Sequence, residues 1–335
     1  MILVTGGTGL VGAHLLFELT KTATIIKAIH RPNSDLQKVE KVFSYYADNY
    51  KKQFKKIEWV EADITDIPAL ELAFDSVSHV YHCAALISFD PKNYDRLYKV
   101  NCEGTANIVN FCIAKNIKKL CYVSSIATIG KNLNSIEVDE ESEWNSRDAN
   151  VYALTKYDAE IEVWRGSQEG LSMAILNPGV IIGPRFWKTG SGKLFTTAAK
   201  EHHYYPPNGT GFVSVHDVVK LLILAMNSAI DKERFIAIAE NLSYQVVLKQ
   251  ITSELKLKSP TKMLTFWQLS ILWRLDWLQS FFFNSDRKIT RNNVISLKEH
   301  KTFCNRKVTE TFNFSFESVS KSIAFACAKF KEEEL

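Results

Sequence analysis

Tyr152 and Lys156 stand four residues apart in VYALTKYDAE (151–160), which puts both side chains on one side of a helix. The pair is either a solvated helix face or a phenol whose proton is managed by an ammonium group. A phenol titrates near ~10 when unperturbed, and a neighbouring cation favours its ionised form and brings it towards neutrality. Such a phenol can protonate an alkoxide as a carbonyl is reduced, and reverse the step in oxidation. The spacing alone is weak, so the rest of the chain has to decide.

A second chemical stretch lies at the N-terminus. In VTGGTGLVGAHL (4–15), Gly7, Gly9 and Gly12 satisfy G-x-G-x-x-G, and Gly6, Gly9 and Gly12 satisfy G-x-x-G-x-x-G. The stretch joins the strand-like MILVTG to a helical GLVGAHLLFELTK. In that context the glycines allow a sharp turn, and the helix N-terminus faces a pyrophosphate. The expected cofactor-binding turn is Thr5, Gly6, Gly7, Thr8, Gly9, Leu10, Val11 and Gly12. A site for NAD(H) usually has an acid near the end of the second strand, about 20 residues on. Here AIHRPNSD (28–35) offers His30 and Arg31 instead. Arg31 can clamp a 2′-phosphate, with Asn33 and Ser34 as further donors. NADP(H) is therefore favoured, and NAD(H) stays open.

The elements that must position these groups alternate along the first half. Strands are expected at 1–6, 23–30, 56–64, 79–85, 119–127 and 172–183, with helices at 35–53, 68–75, 94–115 and 151–168. Such alternation predicts an α/β fold, a doubly wound Rossmann-type parallel sheet with ligands at the carboxyl ends of its strands. After residue 184 the pattern loosens. Residues 1–184 read as the dinucleotide-binding domain, with 212–230 returning to it. Residues 185–211 and 231–335 read as a smaller C-terminal substrate-binding lobe.

Composition narrows the class. The 335 residues carry 41 Lys or Arg against 37 Asp or Glu, a net charge of +4. These charges are interleaved, so no nucleic-acid partner is expected. Six scattered cysteines without a C-x-x-C pair suit reduced thiols in a cytoplasmic protein. No metal site is expected: His202, His203 and His216 lack a ligand grouping, and DEESEW (139–144) reads as a solvent-facing loop. No signal or transit peptide is visible. The aromatic run LTFWQLSILWRLDWLQSFFF (264–283) is broken by polar residues and falls short of a membrane span. Packing within the lobe is its favoured reading, ahead of pocket lining and of contact with a membrane surface.

Taken in order, these motifs make the chain resemble the extended short-chain dehydrogenase/reductase family. TGGTGLVG (5–12), HCAA (82–85), VNCEGTANI (100–108), VSSIATIG (123–130), YALTK (152–156), NPGVIIGP (177–184) and FVSVHDVV (212–219) fall at successive strand ends. The resemblance implies a catalytic Ser125, Tyr152 and Lys156, with Ser125 preferred over Ser124 by counting back from Gly130. It also implies Asp63 and Ile64 at the adenine, and Cys83, Ala84 and Ala85 beside the cofactor. Asn101 gains a largely structural role, and the loop of Asn177, Pro178, Gly179 and Val180 follows the sixth strand. Tyr152 would act as general acid, Lys156 would lower its pKa and hydrogen-bond the nicotinamide ribose, and Ser125 would polarise the substrate oxygen. Arg31, the wording of NPGVIIGP and the aromatic lobe favour the dihydroflavonol 4-reductase branch and an apolar carbonyl or alcohol substrate. A nucleotide-sugar epimerase or dehydratase with tightly held NAD is the alternative, and a non-catalytic dinucleotide sensor a weaker one. Dimerisation through a helix bundle is common in the family, and 94–115 and 151–168 are the candidate helices.

Overall fold

The computed structural model describes residues 1–22, 25–131, 136–147, 149–283, 285–287, 289–298 and 301–335. Its strands are β1 (Ile2–Thr5), β2 (Ile26–His30), β3 (Ile57–Glu61), β4 (His79–His82), β5 (Lys119–Val123), β6 (Glu137–Val138), β7 (Met173–Pro178), β8 (Val180–Ile182), β9 (Tyr204–Tyr205), β10 (Gly209–Ser214), β11 (Glu233–Ala237), β12 (Glu240–Ser243), β13 (Lys262–Met263) and β14 (Thr302–Phe303). Its helices are α1 (Leu10–Thr22), α2 (Leu36–Ser44), α3 (Tyr50–Phe54), α4 (Ile67–Ala73), α5 (Tyr94–Tyr98), α6 (Gly104–Ala114), α7 (Val151–Gln168), α8 (Lys193–Ala198), α9 (Val215–Asn227), α10 (Tyr244–Leu255), α11 (Phe266–Phe283), α12 (Arg291–Ser296), α13 (Arg306–Phe312) and α14 (Val319–Glu334).

Seven strands pair in the order β11-β7-β5-β4-β1-β2-β3, every pair parallel. Crossover helices must then cover both faces, and the strands are buried on both sides. One face packs on α1, α2 and α9 through Leu15, Phe17, Phe43, Val218 and Leu222. The other packs on α4, α6 and α7 through Leu70, Ile108, Val109, Ala159 and Val163. The chain reverses direction across the sheet between β1 and β4. The carboxyl edge at such a reversal is the place where doubly wound sheets take ligands. The fold is the doubly wound α/β sheet that the alternation of elements predicts.

Two boundaries differ from the sequence expectation. The strand expected at 172–183 is cut in two at Gly179, where a side chain would lie 2.3 Å from Gly211 O. β7 stays in the main sheet, whereas β8 pairs with β10, and β10 with β12, in a separate three-stranded sheet. Of 212–230, only α9 returns to the main sheet, while β11, expected in the lobe, supplies the main sheet's edge strand beside β7. The small core formed by Trp187, Phe195, Phe212, Ile251, Ile323 and Phe330 joins α8, α10 and α14. Residues 23–24 of the strand expected at 23–30, and residues 132–135 and 148 of the loop at 131–150, lie outside the described residues. The 139–144 loop is not solvent-facing throughout: Glu140 is buried, and its carboxylate accepts from Ile236 N at 2.7 Å. The aromatic run at 264–283 is not core packing either, because most of α11's apolar side chains are exposed.

Lys119, buried on β5, shows how the edge is closed. Its ammonium donates to Ala225 O, Ser228 O and Ile230 O at 2.7, 2.9 and 2.6 Å. It thus satisfies carbonyls at and beyond the C-terminus of α9, where helices leave acceptors open. Replacing it by methionine removes all three of these bonds and leaves Ala225 O only its bond from Ser228 Oγ, at 2.9 Å. Lys119→Met should lower the free energy of unfolding by about 3 kcal/mol, read in urea as a lower midpoint with an unchanged slope.

Candidate active site

The glycine turn is built by close backbone approach. Gly6 has φ +67°, and a side chain on it would lie 2.5 Å from Ala84 N. One on Gly12 would meet Gly6 O at 2.2 Å. Gly7 is packed under Leu16, whereas a side chain on Gly9 would meet only Gly6 O, at 3.4 Å. The turn closes through Gly9 N to Gly6 O at 3.0 Å and Ala13 N to Gly9 O at 2.9 Å. Thr8, Gly9, Leu10 and Val11 remain partly accessible. Gly9 therefore has open space above it at a helix N-terminus, where the first amides lack intrahelical partners.

Thr5 anchors this turn to β4. Its hydroxyl oxygen lies 2.6 Å from His82 Nδ1 and accepts from Ala84 N at 3.2 Å. His82 Nε2 lies 2.9 Å from Thr105 Oγ1, which donates its one proton to Asn101 O at 2.5 Å. Thr105 must then accept from His82 Nε2–H, and His82 Nδ1 must accept from Thr5. Burial and the Lys156 charge hold His82 neutral, with its pKa lowered to about 3. Asn101 sits in a π-helical turn (Lys99–Glu103) and pairs with Leu86 through both amide ends, at 2.7 and 3.0 Å. Its Nδ2 also reaches Thr155 Oγ1 at 3.1 Å, tying this loop to α7.

α7 starts at Asn150, whose side chain accepts from Ala153 N at 2.9 Å. Tyr152, Lys156 and Glu160 then repeat every fourth residue along one face. Tyr152 lies within electrostatic reach of Ser125, and the Phe89 ring meets it edge-on at 5.7 Å. Burial pushes its phenol up to about 12, and the nearby Ser125 opposes that shift. Ser125 Oγ also accepts from Ala127 N at 3.1 Å, which leaves the hydroxyl proton for an oxygen partner. Ser124 points elsewhere, donating to Glu160 Oε2 at 2.6 Å. Geometry thus separates the two serines.

Lys156 does not act on Tyr152 as the spacing suggests. Its ammonium donates to Tyr122 Oη at 2.5 Å and to Val123 O at 2.9 Å, and lies 4.2 Å from the Tyr122 ring centre. Burial lowers its pKa to about 7, against the pull of Glu160. Tyr122, on the inward face of β5 and stacked on His82, takes the lysine that sequence assigns to Tyr152.

Sequence reasoning missed Glu160. Its carboxylate is buried and accepts from Ser124 at 2.6 Å, Thr128 at 2.8 Å and Asn177 at 2.9 Å on one oxygen. Arg234 of β11 donates to the other at 3.2 Å, and its far nitrogen bonds Glu140 O. Asn177 also donates to Ser125 O and Thr128 Oγ1, at 3.2 and 2.9 Å. The Asn177 side chain, expected at the cofactor, is thus turned into the protein beneath Ser125. Pro178 is buried, while Gly179 and Val180 are partly accessible. The only sequence signal for Glu160 was a carboxylate on the Tyr152 and Lys156 face.

The remaining expected contacts lie along the same carboxyl edge. Asp63 accepts from Thr65 N and Oγ1 at 2.9 and 2.8 Å, and Ile64 is buried against Gly104. Cys83 and Ala84 are partly accessible and Ala85 is exposed. Arg31 is exposed after β2. Its amide donates to Ser34 Oγ at 3.1 Å, its carbonyl accepts from Ser34 N at 2.9 Å, and Asn33 is exposed in the same turn. Among the described residues, no group of three or more His, Cys, Asp or Glu gathers to hold a metal.

Residues 2–239 match the model of the NAD dependent epimerase/dehydratase family. The chain belongs to that family. Among curated relatives of this epimerase/dehydratase chain, a Synechocystis protein with the provisional name dihydroflavonol 4-reductase is 28% identical over 278 residues, 81% of this chain and 77% of its own. Sterol demethylase protein B of Methylococcus capsulatus is 25% identical over 251 residues, 74% of this chain and 72% of its own. Among solved structures, UDP-glucose 4-epimerase of Thermotoga maritima superposes with a TM-score of 0.77 at 18% identity, covering 99% of this chain and 98% of that one. At that identity the likeness is one of fold.

The lysine value fixes a sign. A lysine at about 7 folded and about 10.4 unfolded costs stability in full below pH 7, and the cost fades as pH rises to the unfolded value. Relative to Lys156→Met, the wild-type protein should therefore gain stability between pH 7 and pH 10, measured by urea unfolding. A flat difference would mean that Lys156 keeps an ordinary pKa.

Proposed function

We propose that this chain is an NADP(H)-dependent oxidoreductase that reduces a carbonyl, or oxidises an alcohol, of a hydrophobic or aromatic small molecule. The observation that carries the reading is that Tyr152 and Ser125 stand within reach of one another at the carboxyl edge of the sheet that also holds the glycine turn. The turn suits a dinucleotide: Gly6 and Gly12 permit its close packing, and Gly9 leaves room for a pyrophosphate at the α1 N-terminus. Arg31, exposed beyond β2, supports NADP(H), because a guanidinium at that strand end can clamp a 2′-phosphate.

When bound, the nicotinamide supplies the hydride. Ser125, with its proton free of backbone duty, donates to the substrate oxygen and holds it beside the Tyr152 phenol. Tyr152 gives its proton to the alkoxide, and its raised pKa keeps that proton in place at neutral pH. An alkoxide is more basic than a phenolate, so the transfer runs downhill. The raised pKa favours the reductive direction near neutrality, and oxidation should climb as pH rises. Lys156, buried one helical turn on, is the residue available for the nicotinamide ribose. The free thiols of all six cysteines accord with a cytoplasmic setting.

The dihydroflavonol reductase and sterol-processing relatives support an apolar substrate. Titration with NADPH and NADH, following energy transfer from tryptophan to nicotinamide, tests the cofactor. Reversible binding with a clear NADPH preference is expected, and Arg31→Glu should remove at least about tenfold of it. Tightly retained NAD without that preference would point to nucleotide sugars instead. Tyr152→Phe should lower turnover by about 10²–10⁴-fold while leaving NADPH binding unchanged. Unaltered turnover would remove Tyr152 from the chemistry.

A further inference from the structure

α11 is built inside out. Trp267, Phe281, Phe282 and Phe283 are 64%, 68%, 73% and 78% exposed, and Ile271 and Leu275 are exposed on the same helix. Of its polar side chains, Ser280 and Asp276 face the protein, while Arg274 and Gln279 are exposed. Ser280 is buried and accepts from Lys92 Nζ at 3.0 Å, Asp276 accepts from Ile289 N at 3.2 Å, and Gln268 caps Thr265 at 2.9 Å. A helix packed for water alone would place these groups the other way round.

The charge around this helix is just as uneven. Residues 256–307 contain eleven Lys or Arg and three Asp or Glu, a net of +8, which leaves −4 on the rest of a chain whose total is +4. Lys256, Lys258, Lys262, Arg274, Arg291 and Lys298 are exposed. Two of these cations lie on α11 aromatics: Lys298 Nζ is 5.8 Å from the Phe266 ring centre, and the Arg274 guanidinium 4.6 Å from that of Trp273. No helix among the described residues is long and apolar enough to cross a membrane. An exposed aromatic helix flanked in sequence by basic residues is the composition of a segment lying in a lipid interface.

We propose that α11 docks this protein on the surface of a bilayer containing anionic lipid, its aromatic side chains entering the headgroup boundary and the surrounding Lys and Arg meeting lipid phosphates. The helix and the segment after it are fastened to the loop beside Tyr152: Lys92 donates to Ser280 Oγ at 3.0 Å, Asp90 accepts from Arg287 N at 2.8 Å, and Phe89 meets the Tyr152 ring edge-on. Docking requires only α11 and its cations, and stands whether or not the reading of the reaction does.

The test is flotation of the full-length protein with vesicles of phosphatidylcholine alone and of phosphatidylcholine with phosphatidylglycerol. Binding to the anionic vesicles is expected to exceed that to neutral ones by at least about tenfold and to fall in high salt. Trp277→Ser with Phe281→Ser and Phe282→Ser should abolish it. Lys262→Glu with Arg274→Glu should remove the anionic preference. All these side chains are exposed, so thermal midpoints should not change, and vesicle-free size exclusion tracks oligomeric state. Two results would overturn the proposal. One is no flotation with either vesicle. The other is a dimer that the serine variant splits, with no flotation, which would make a second copy the occupant.

Discussion

The carboxylate of Glu160 is the point on which the candidate site is assembled. It holds Ser124 and Thr128 on either side of Ser125, draws in Asn177 from β7 and meets Arg234 from β11. Four elements distant in sequence are fixed in this way around one buried charge. A buried ion of this kind is costly unless each of its lone pairs is satisfied, and here hydroxyl, amide and guanidinium donors do so. The carboxylate also lies one helical turn past Lys156, whose charged form it supports against burial. The position of Ser125 and the charge of Lys156 therefore depend on one group that touches neither the glycine turn nor Tyr152 in any recorded bond.

A second buried relay links the glycine turn to the start of α6. Thr5, His82, Thr105 and Asn101 pass from β1 through β4 to the start of α6, and His82 is held neutral in one tautomer. The glycine turn and the Tyr152 helix are thereby braced against the same strand ends. Rigid placement matters for hydride chemistry, because donor, acceptor and proton must meet in one geometry.

Much of this was legible in the sequence wherever local chemistry decides it. Glycines after an apolar run mark the turn, the apolar alternation marks the strands of the main sheet, and the helix expected over 151–168 has those bounds. What was not legible depends on partners remote in the chain. Nothing near Lys156 announces that Tyr122, 34 residues earlier, takes its ammonium, and nothing near Glu160 announces Arg234, 74 residues later. β11 was misplaced because a short edge strand carries no motif. The aromatic run of α11 was read as core because hydrophobicity gives no direction, and the direction here is outward.

The path of the chain between the two sheets has a consequence for how such a protein can diversify. β7 belongs to the large sheet, β8 and β10 to the small one, α9 and β11 again to the large, and β12 again to the small. No single cut separates the large sheet from the small one, so recombination at one junction cannot exchange either as a module. New ligand ranges have to arise by residue changes and insertions within a scaffold inherited whole. That history predicts relatives that keep one continuous core while diverging in the segments threaded between its strands.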